Sequence, residues 1–523
     1  MKQTILIALF LSFPILLTAE TPMSQQMVES HGLGNFYCNA TYKSLLSEAG
    51  WDYVTGLVAN SVLKTWEQYP EKTAYYDAVK AFADKSTSTD GSQILNALGY
   101  SALGESNIDD LAAGKIFFAL YKKELSNGNL TSANRYKKAA TVVRNKLKYN
   151  HSRIAAGLPG AGGFYHKASY PSQMWLDGLY MGPAVYAQWQ DVFGQDSLSG
   201  NDAAWSDIAL QFKILHAYTY DSDKQLNYHA WAAIPTDANA FWSNQSDPFK
   251  GCNKEFWGRS MGWYFAALTD VLELMPAGHA DRSILMANYQ QVAAGLKHWQ
   301  DETSGVWYQL LQYDGTKTAD GIGDLVNGTY YNSGTRVNYL ESSCSCMFTY
   351  AFYKGVRLGL LDKSTYLPVA EKAYAGLLNT FITPNGDNID IIQSCASAGL
   401  GPSSNPSRTG TVNYYLCGRD VGITQNEGKA IGTFIMASLE KELADSDTLA
   451  IDKACQRSFK ACTITVPTDG VYMVRMGNAD STPFKFVCKK GQNTLYLEDA
   501  FCGLNGFFDV YSGTGILLSR YYI

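Results

Sequence analysis

Between about residues 40 and 445, apolar residues return every three or four positions, the spacing of helices that bury one face. Leu111, Ala112, Ile116, Phe117 and Leu120 share such a face on a helix predicted to begin near Asp109, and a second helix is predicted over about 130–147. Further helices are predicted near 176–190, 203–218, 258–275, 281–300, 341–359, 364–380 and 427–442, with two or more before residue 90. They come in pairs, joined by loops rich in Gly, Asn, Asp and aromatic residues. From about residue 460 the pattern changes to β-type alternation, as in Gly470-Val471-Tyr472-Met473-Val474-Arg475.

The helical pairing is periodic. Asp109, Asp177, Arg259, Glu341 and Glu427 open alternate helices at intervals of 68 to 86 residues. A repeated helical hairpin buries its apolar face against its neighbours, and five or six such units fit before residue 445. An open superhelix is the alternative, but solenoid repeats are shorter and more uniform than these. The expected fold is therefore mostly α: a six-hairpin (α/α)6 barrel with a small β-rich C-terminal appendage. Its inner helices begin at one mouth, which the five polar residues would ring. The loops at Gly163-Phe164-Tyr165-His166, Leu226-Asn227-Tyr228-His229 and Gly305-Val306-Trp307-Tyr308 resemble one another, each placing aromatics in a turn after a helix.

Lys2, the apolar run Ile5 to Leu17 and the small residue ending Leu17-Thr18-Ala19 form the pattern of a secretory signal peptide. The run is too short to span a bilayer comfortably, and no membrane anchor is expected. The predicted division is signal peptide 1–19, barrel 20–450 and β-rich domain 455–523, with export to the periplasm or outside the cell. In an oxidising compartment Cys455, Cys462, Cys488 and Cys502 form a plausible local disulfide set of undetermined connectivity, whereas Cys344 and Cys346 read as buried thiols. No cysteine–histidine spacing suits zinc, so neither a metal nor a cofactor is expected. The net charge of −6 argues against a nucleic-acid partner. Aromatic residues reach 13%, which suits either sugar stacking or packing in a large fold.

Two carboxylates stand out. Asp177 lies in the aromatic, apolar string YPSQMWLDGLYM (170–181), where burial raises a carboxyl's pKa toward a proton-donating value; it could equally be a helix cap. Asp109 and Asp110 open their helix, and one of the two reads as a cap. Arg259, flanked by Trp257 and Trp263 in EFWGRSMGWY (255–264), suits either a sugar carboxylate or an internal ion pair. His166 and His229 sit in the aromatic loops as ligand-contact candidates, while His216, His279 and His298 read as structural. No Gly-x-Ser-x-Gly elbow or phosphate-binding loop is present.

The strings YPSQMWLDGLYM, NIDDLAAGK (107–115), EFWGRSMGWY and YLESSCSCMF (339–348) together resemble the unsaturated rhamnogalacturonyl hydrolases of glycoside hydrolase family 105, which are related to the unsaturated glucuronyl hydrolases of family 88. The resemblance runs from about residue 40 to 445. It implies a six-hairpin barrel, a substrate ending in an unsaturated uronic acid, Asp177 as general acid/base and Asp109 as a second essential carboxylate. It further implies that Arg259 and Trp263 hold the substrate, with Trp257 beside them and Lys167 and His229 as further contacts. Ser343 and Ser345 match a serine pair in the family string, and Met261 stands where the family usually has Asn. The competing readings are another (α/α)-barrel glycosidase, a polysaccharide lyase, or a non-catalytic glycan-binding protein.

Overall fold

In a computed structural model, the structure describes residues 21–39, 41–194, 198–319, 336–418, 420–447 and the strands beyond 461. Its helices are α1 (Met23–Met27), α2 (Tyr53–Gln68), α3 (Thr73–Lys85), α4 (Ile116–Ser126), α5 (Leu130–Asn150), α6 (Leu176–Met181), α7 (Pro183–Phe193), α8 (Leu198–Thr219), α9 (Gly258–Leu274), α10 (Arg282–His298), α11 (Ser342–Arg357), α12 (Lys363–Phe381), α13 (Val412–Cys417) and α14 (Gly428–Asp447). Six helical units close into an inner ring, each packed on the next: α2, α4 with its leading 3-10 turn Ile108–Lys115, α6 with α7, α9, α11 and α14, which returns to α2. Outside them lie α3, α5, α8, α10, α12 and, against α14, α1. The architecture is an (α/α)6 barrel.

Burial follows this layering. From Gly258 to Leu272 every residue of α9 except Asp270 is buried, as an inner helix enclosed on all sides requires. On α5, by contrast, Ala133, Tyr136, Ala139, Ala140, Val143 and Leu147 face inward, and lysines occupy much of the remainder. Capping sets several starts: Asp52 accepts from the Val54 N–H, Asn129 from Ser132 and Asp362 from Thr365.

Two predicted helices differ in detail. The one expected from Asp109 is a 3-10 turn until Lys115, with Gly114 packed so close to Val143 that a Cβ there would lie 3.0 Å from its Cγ1. The one expected over 176–190 is broken at Gly182, where Pro183 lacks an N–H and restarts the helix, and where Ile108 leaves no room for a Cβ.

Short β contacts bind the mouth. Asn107 bridges Lys167, Gln173–Trp175 pairs antiparallel with Ala230–Ala232, and Trp231 bridges Cys252. Trp257 then bridges Leu310, Tyr308 bridges Leu340, and Ser394–Cys395 pairs with Ile423–Thr424. The three look-alike loops of the sequence supply links in this collar. Beyond residue 461 the described strands form an antiparallel sheet in the order 484–488, 470–476, 507–511, 517–522, plus the pair 462–466 and 491–495. Residues 1–19, read above as a signal peptide, and the side chains of the four C-terminal cysteines lie outside the described residues. Cys344 and Cys346 are buried free thiols. Among the described residues no helix is long and apolar enough to cross a membrane.

The inner ring is tight enough to test. A Cβ on Gly56 of α2 would lie 2.4 Å from the Ala113 Cα, a backbone atom that cannot rotate away. Alanine gains about 1 kcal/mol over glycine in a helix interior, whereas overpacking costs about 1–3 kcal/mol. Gly56→Ala therefore lowers the melting temperature; an unchanged or raised value would contradict this packing.

Candidate active site

Asp177 is the second residue of α6, delivered there by the strand Gln173–Trp175. It makes no cap bond; the cap position is Trp175, whose side chain makes none either. The residue is 9% exposed, and its Oδ2 lies 3.2 Å from Nε2 of His229. These two atoms are not aligned as a hydrogen bond, and neither has a hydrogen-bonding partner among the described residues. His229 is 0% exposed and fixed from both sides: its carbonyl accepts from the Leu176 N–H, and its Nδ1 meets the Tyr415 hydroxyl at 2.7 Å. The loop histidine and the α6 carboxylate thus meet across the collar.

Asp109 lies in the 3-10 turn, with Lys167 Nζ 2.7 Å from Oδ2 and His166 Nε2 3.7 Å from Oδ1. Burial pushes its carboxyl up, but the charges of Lys167, His166 and Lys429 and the Lys167 hydrogen bond outweigh this and hold it below its ordinary value. Lys167 is held above its usual range: burial opposes its charge, and Asp109 more than restores it. The ring of His166 stacks on Trp175 at 4.2 Å and 8°, and burial drives its pKa down to about 4. Asp110 is the structural member of its pair. It accepts from the Gly104 N–H and from Asn107, and burial raises it to about 6.

Arg259 is 1% exposed and turned into the protein. Its Nε donates to the Ser343 hydroxyl at 2.8 Å, and one terminal nitrogen reaches Glu341, Ser394 and the Cys395 carbonyl. Glu341 caps α11 through the Ser343 and Cys344 N–H groups and also accepts from the Cys395 N–H at 2.9 Å. Ser343 and Ser345 are internal pegs: the first links Arg259 to Glu341, and the second joins the Trp307 N–H to the Glu341 carbonyl. Met261 is buried too, its sulfur accepting from the Asn227 N–H.

The indoles are covered as well. Trp263 is 1% exposed, its ring 4.6 Å from that of Tyr180, and Trp257 packs between His229 and Tyr415 while its N–H donates to Gln309. Trp175 and Trp307 are buried also. The aromatic excess read as suited to sugar stacking or packing is, at these positions, packing. Large rings fill the gaps where successive hairpins meet at the mouth. His216 and His279 are structural, bonded to Tyr264 with Gln291 and to Ser206 with the Asp202 carbonyl. Among the described residues, no three His, Cys, Asp or Glu side chains are arranged to hold a metal ion.

Sequence reasoning missed Tyr415, the role of Glu341 beyond opening a helix, and Asn253, whose Nδ2 reaches the Tyr415 hydroxyl at 3.5 Å. Tyr415 is 186 positions from its histidine and belongs to no motif.

The profile of Glycosyl Hydrolase Family 88 matches residues 33–320 and 326–444. A solved glycoside hydrolase from family 105 of C. acetobutylicum ATCC 824 is 34% identical, with a TM-score of 0.65, covering 80% of this chain and 99% of that one. Protein Atu3128 of Agrobacterium fabrum is 28% identical over 255 residues, 48% of this chain and 95% of that protein. An unsaturated 3S-rhamnoglycuronyl hydrolase of Alteromonas sp. (strain LOR) is 25% identical over 247 residues; the match spans 47% of this chain and 48% of that protein.

The Asp109–Lys167 pair makes a pH-dependent prediction. Asp109 is depressed in the folded protein, so its contribution to stability is present above its unfolded pKa and is lost as pH falls through the folded value. Lys167→Met removes the largest influence opposing burial and leaves only those of His166 and Lys429. Asp109 should then titrate about 1 to 3 units higher, read from its carboxyl carbon by NMR, and the variant should lose stability near neutral pH. An unmoved titration would show that Lys167 does not keep Asp109 ionised.

Proposed function

The chain belongs to glycosyl hydrolase family 88 and is a glycoside hydrolase of the unsaturated uronyl type, and from that premise we propose that it removes the terminal 4,5-unsaturated uronic acid from oligosaccharides left by polysaccharide lyases, of rhamnogalacturonan or pectin type. One observation carries this reading: two carboxylates of opposite circumstance share the mouth. Asp109 is held ionised by Lys167, whereas Asp177 forms no ion pair with lysine or arginine among the described residues and faces an imidazole. Divergent environments are how a protein assigns an acid and its partner. The signal-peptide pattern at 1–19 supports export of the enzyme to where such oligosaccharides arise.

The C4=C5 bond of the substrate is an enol ether, since the ring oxygen is attached to C5. Asp177 gives its proton to C4, and positive charge develops at C5 and the ring oxygen. Water adds at C5, returning a proton to Asp177. The resulting hemiketal opens to a ketone; C1 is left as a hemiacetal, which releases the next sugar. Chemistry at the double bond makes the spacing rule for acid and nucleophile at an anomeric carbon irrelevant. Asp109, with Lys167 beside it, binds sugar hydroxyls. Lys167 and the positive ends of the inner helices attract the uronate. Arg259, Trp257 and Trp263 serve the substrate as the floor and walls on which these groups are mounted.

Asp177→Asn should fold normally yet consume the ultraviolet absorbance of an unsaturated disaccharide about 10²–10⁴ times more slowly. The unaltered enzyme should leave saturated oligosaccharides intact and create no new double bonds. Turnover by the variant, or cleavage of saturated chains, would overturn the reading.

A further inference from the structure

The contacts behind His229 form a directional chain. Asn253 accepts the Ala230 N–H at its Oδ1 over 3.1 Å, so its amide orientation is fixed by the backbone. Its Nδ2 is thereby a donor, bonded to the Glu255 carbonyl at 2.7 Å and directed at the Tyr415 oxygen at 3.5 Å. A hydroxyl that receives at its oxygen has its own hydrogen left to give, and the neighbour in reach is Nδ1 of His229 at 2.7 Å. Burial also drives the Tyr415 hydroxyl well above its ordinary range, so it keeps that hydrogen. An imidazole that accepts at Nδ1 carries its proton at Nε2, the atom 3.2 Å from Oδ2 of Asp177.

We infer that Tyr415 is a positioning residue for the acid/base reaction: by donating to Nδ1 it locks His229 as the Nε2–H tautomer, which puts a protonated nitrogen 3.2 Å from Oδ2 of Asp177. The inference rests on Asp177 being the acid/base group. With a protonated nitrogen beside Oδ2, the transferable proton belongs on Oδ1, so the oxygen that serves C4 is chosen before the substrate arrives. After transfer, the same N–H stabilises the carboxylate that forms. In the opposite tautomer a bare nitrogen lone pair would face that carboxylate and repel it. An approach of 3.2 Å without hydrogen-bond alignment is of the kind that tightens in a substrate complex.

Two measurements test this. In the ligand-free protein labelled with ¹⁵N-histidine, His229 should show a protonated Nε2 and an unprotonated Nδ1; an Nδ1–H tautomer or an imidazolium would overturn the inference. This readout needs neither substrate nor variant, so it fails or succeeds independently of the Asp177 assignment, which Asp177→Asn tests. Tyr415→Phe keeps the ring that lies 6.0 Å from Trp257 and removes only the hydroxyl. It should lower kcat between about 10-fold and about 100-fold with KM changed less than about twofold. An unaltered kcat, or a loss carried by KM, would overturn it.

Discussion

A guanidinium and a carboxylate that have both left water must find every partner within the fold, and Arg259 and Glu341 draw theirs from three separate stretches of chain. Arg259 opens α9, Glu341 opens α11, and Ser394 and Cys395 come from the loop beyond α12. Removing one member of such a pair strands the other and costs about 3–5 kcal/mol. The pair therefore fixes where two inner helices begin relative to each other and where the loop crosses them. From Cys395 that loop continues to Gly399, whose N–H donates to the Tyr414 hydroxyl at 2.8 Å, and the next residue is Tyr415. His229 and Asp177, at one side of the mouth, are thus braced through Tyr415 by an ion pair they never touch.

The two ends of the ring differ electrostatically. Helix N-termini carry partial positive charge, so a mouth built from inner-helix N-termini favours anions such as ionised Asp109 and a uronate. The far end is closed by charge. Lys354 and Arg357, in the last turn of α11, meet Asp270 and Glu273 of α9 and Glu440 of α14 at 2.7 Å for the closest contacts. Cations near a helix C-terminus suit its dipole, and their carboxylate partners join neighbouring inner helices. A net negative protein can bind a negative sugar because the field that matters is local.

The period of polar residues was readable because the mouth demands it. Asp109, Asp177, Arg259, Glu341 and Glu427 all open inner units, as their spacing indicated. Their division of labour was not readable. Whether Arg259 meets a ligand or Glu341 depends on which way its side chain turns, and spacing carries no such information. Likewise the aromatic excess suited both sugar stacking and packing, and burial decides between them at Trp175, Trp257, Trp263 and Trp307. Tyr415 was invisible for a different reason: it belongs to the site only because the loop anchored at Cys395 brings it back across the mouth.

Ring closure has the same character. Five hairpins are continuous in sequence, but the sixth is divided between the ends of the barrel: α14 is its inner helix, and α1 with the π-helical turn Val28–Gly32 lies outside it. The seam is polar. Glu442 of α14 accepts from the N–H and hydroxyl of Ser24 at 3.0 and 2.7 Å and from the Tyr69 hydroxyl at 2.9 Å. A period counted along the chain cannot register a unit whose halves lie 418 positions apart. Contacts that distant in sequence are slow to form because loop closure must precede them. Until α14 docks on α2, the ring lacks the last wall of its mouth, where Lys429 adds its charge to those that keep Asp109 ionised. Closure of the barrel and the electrostatics of the site are therefore one event.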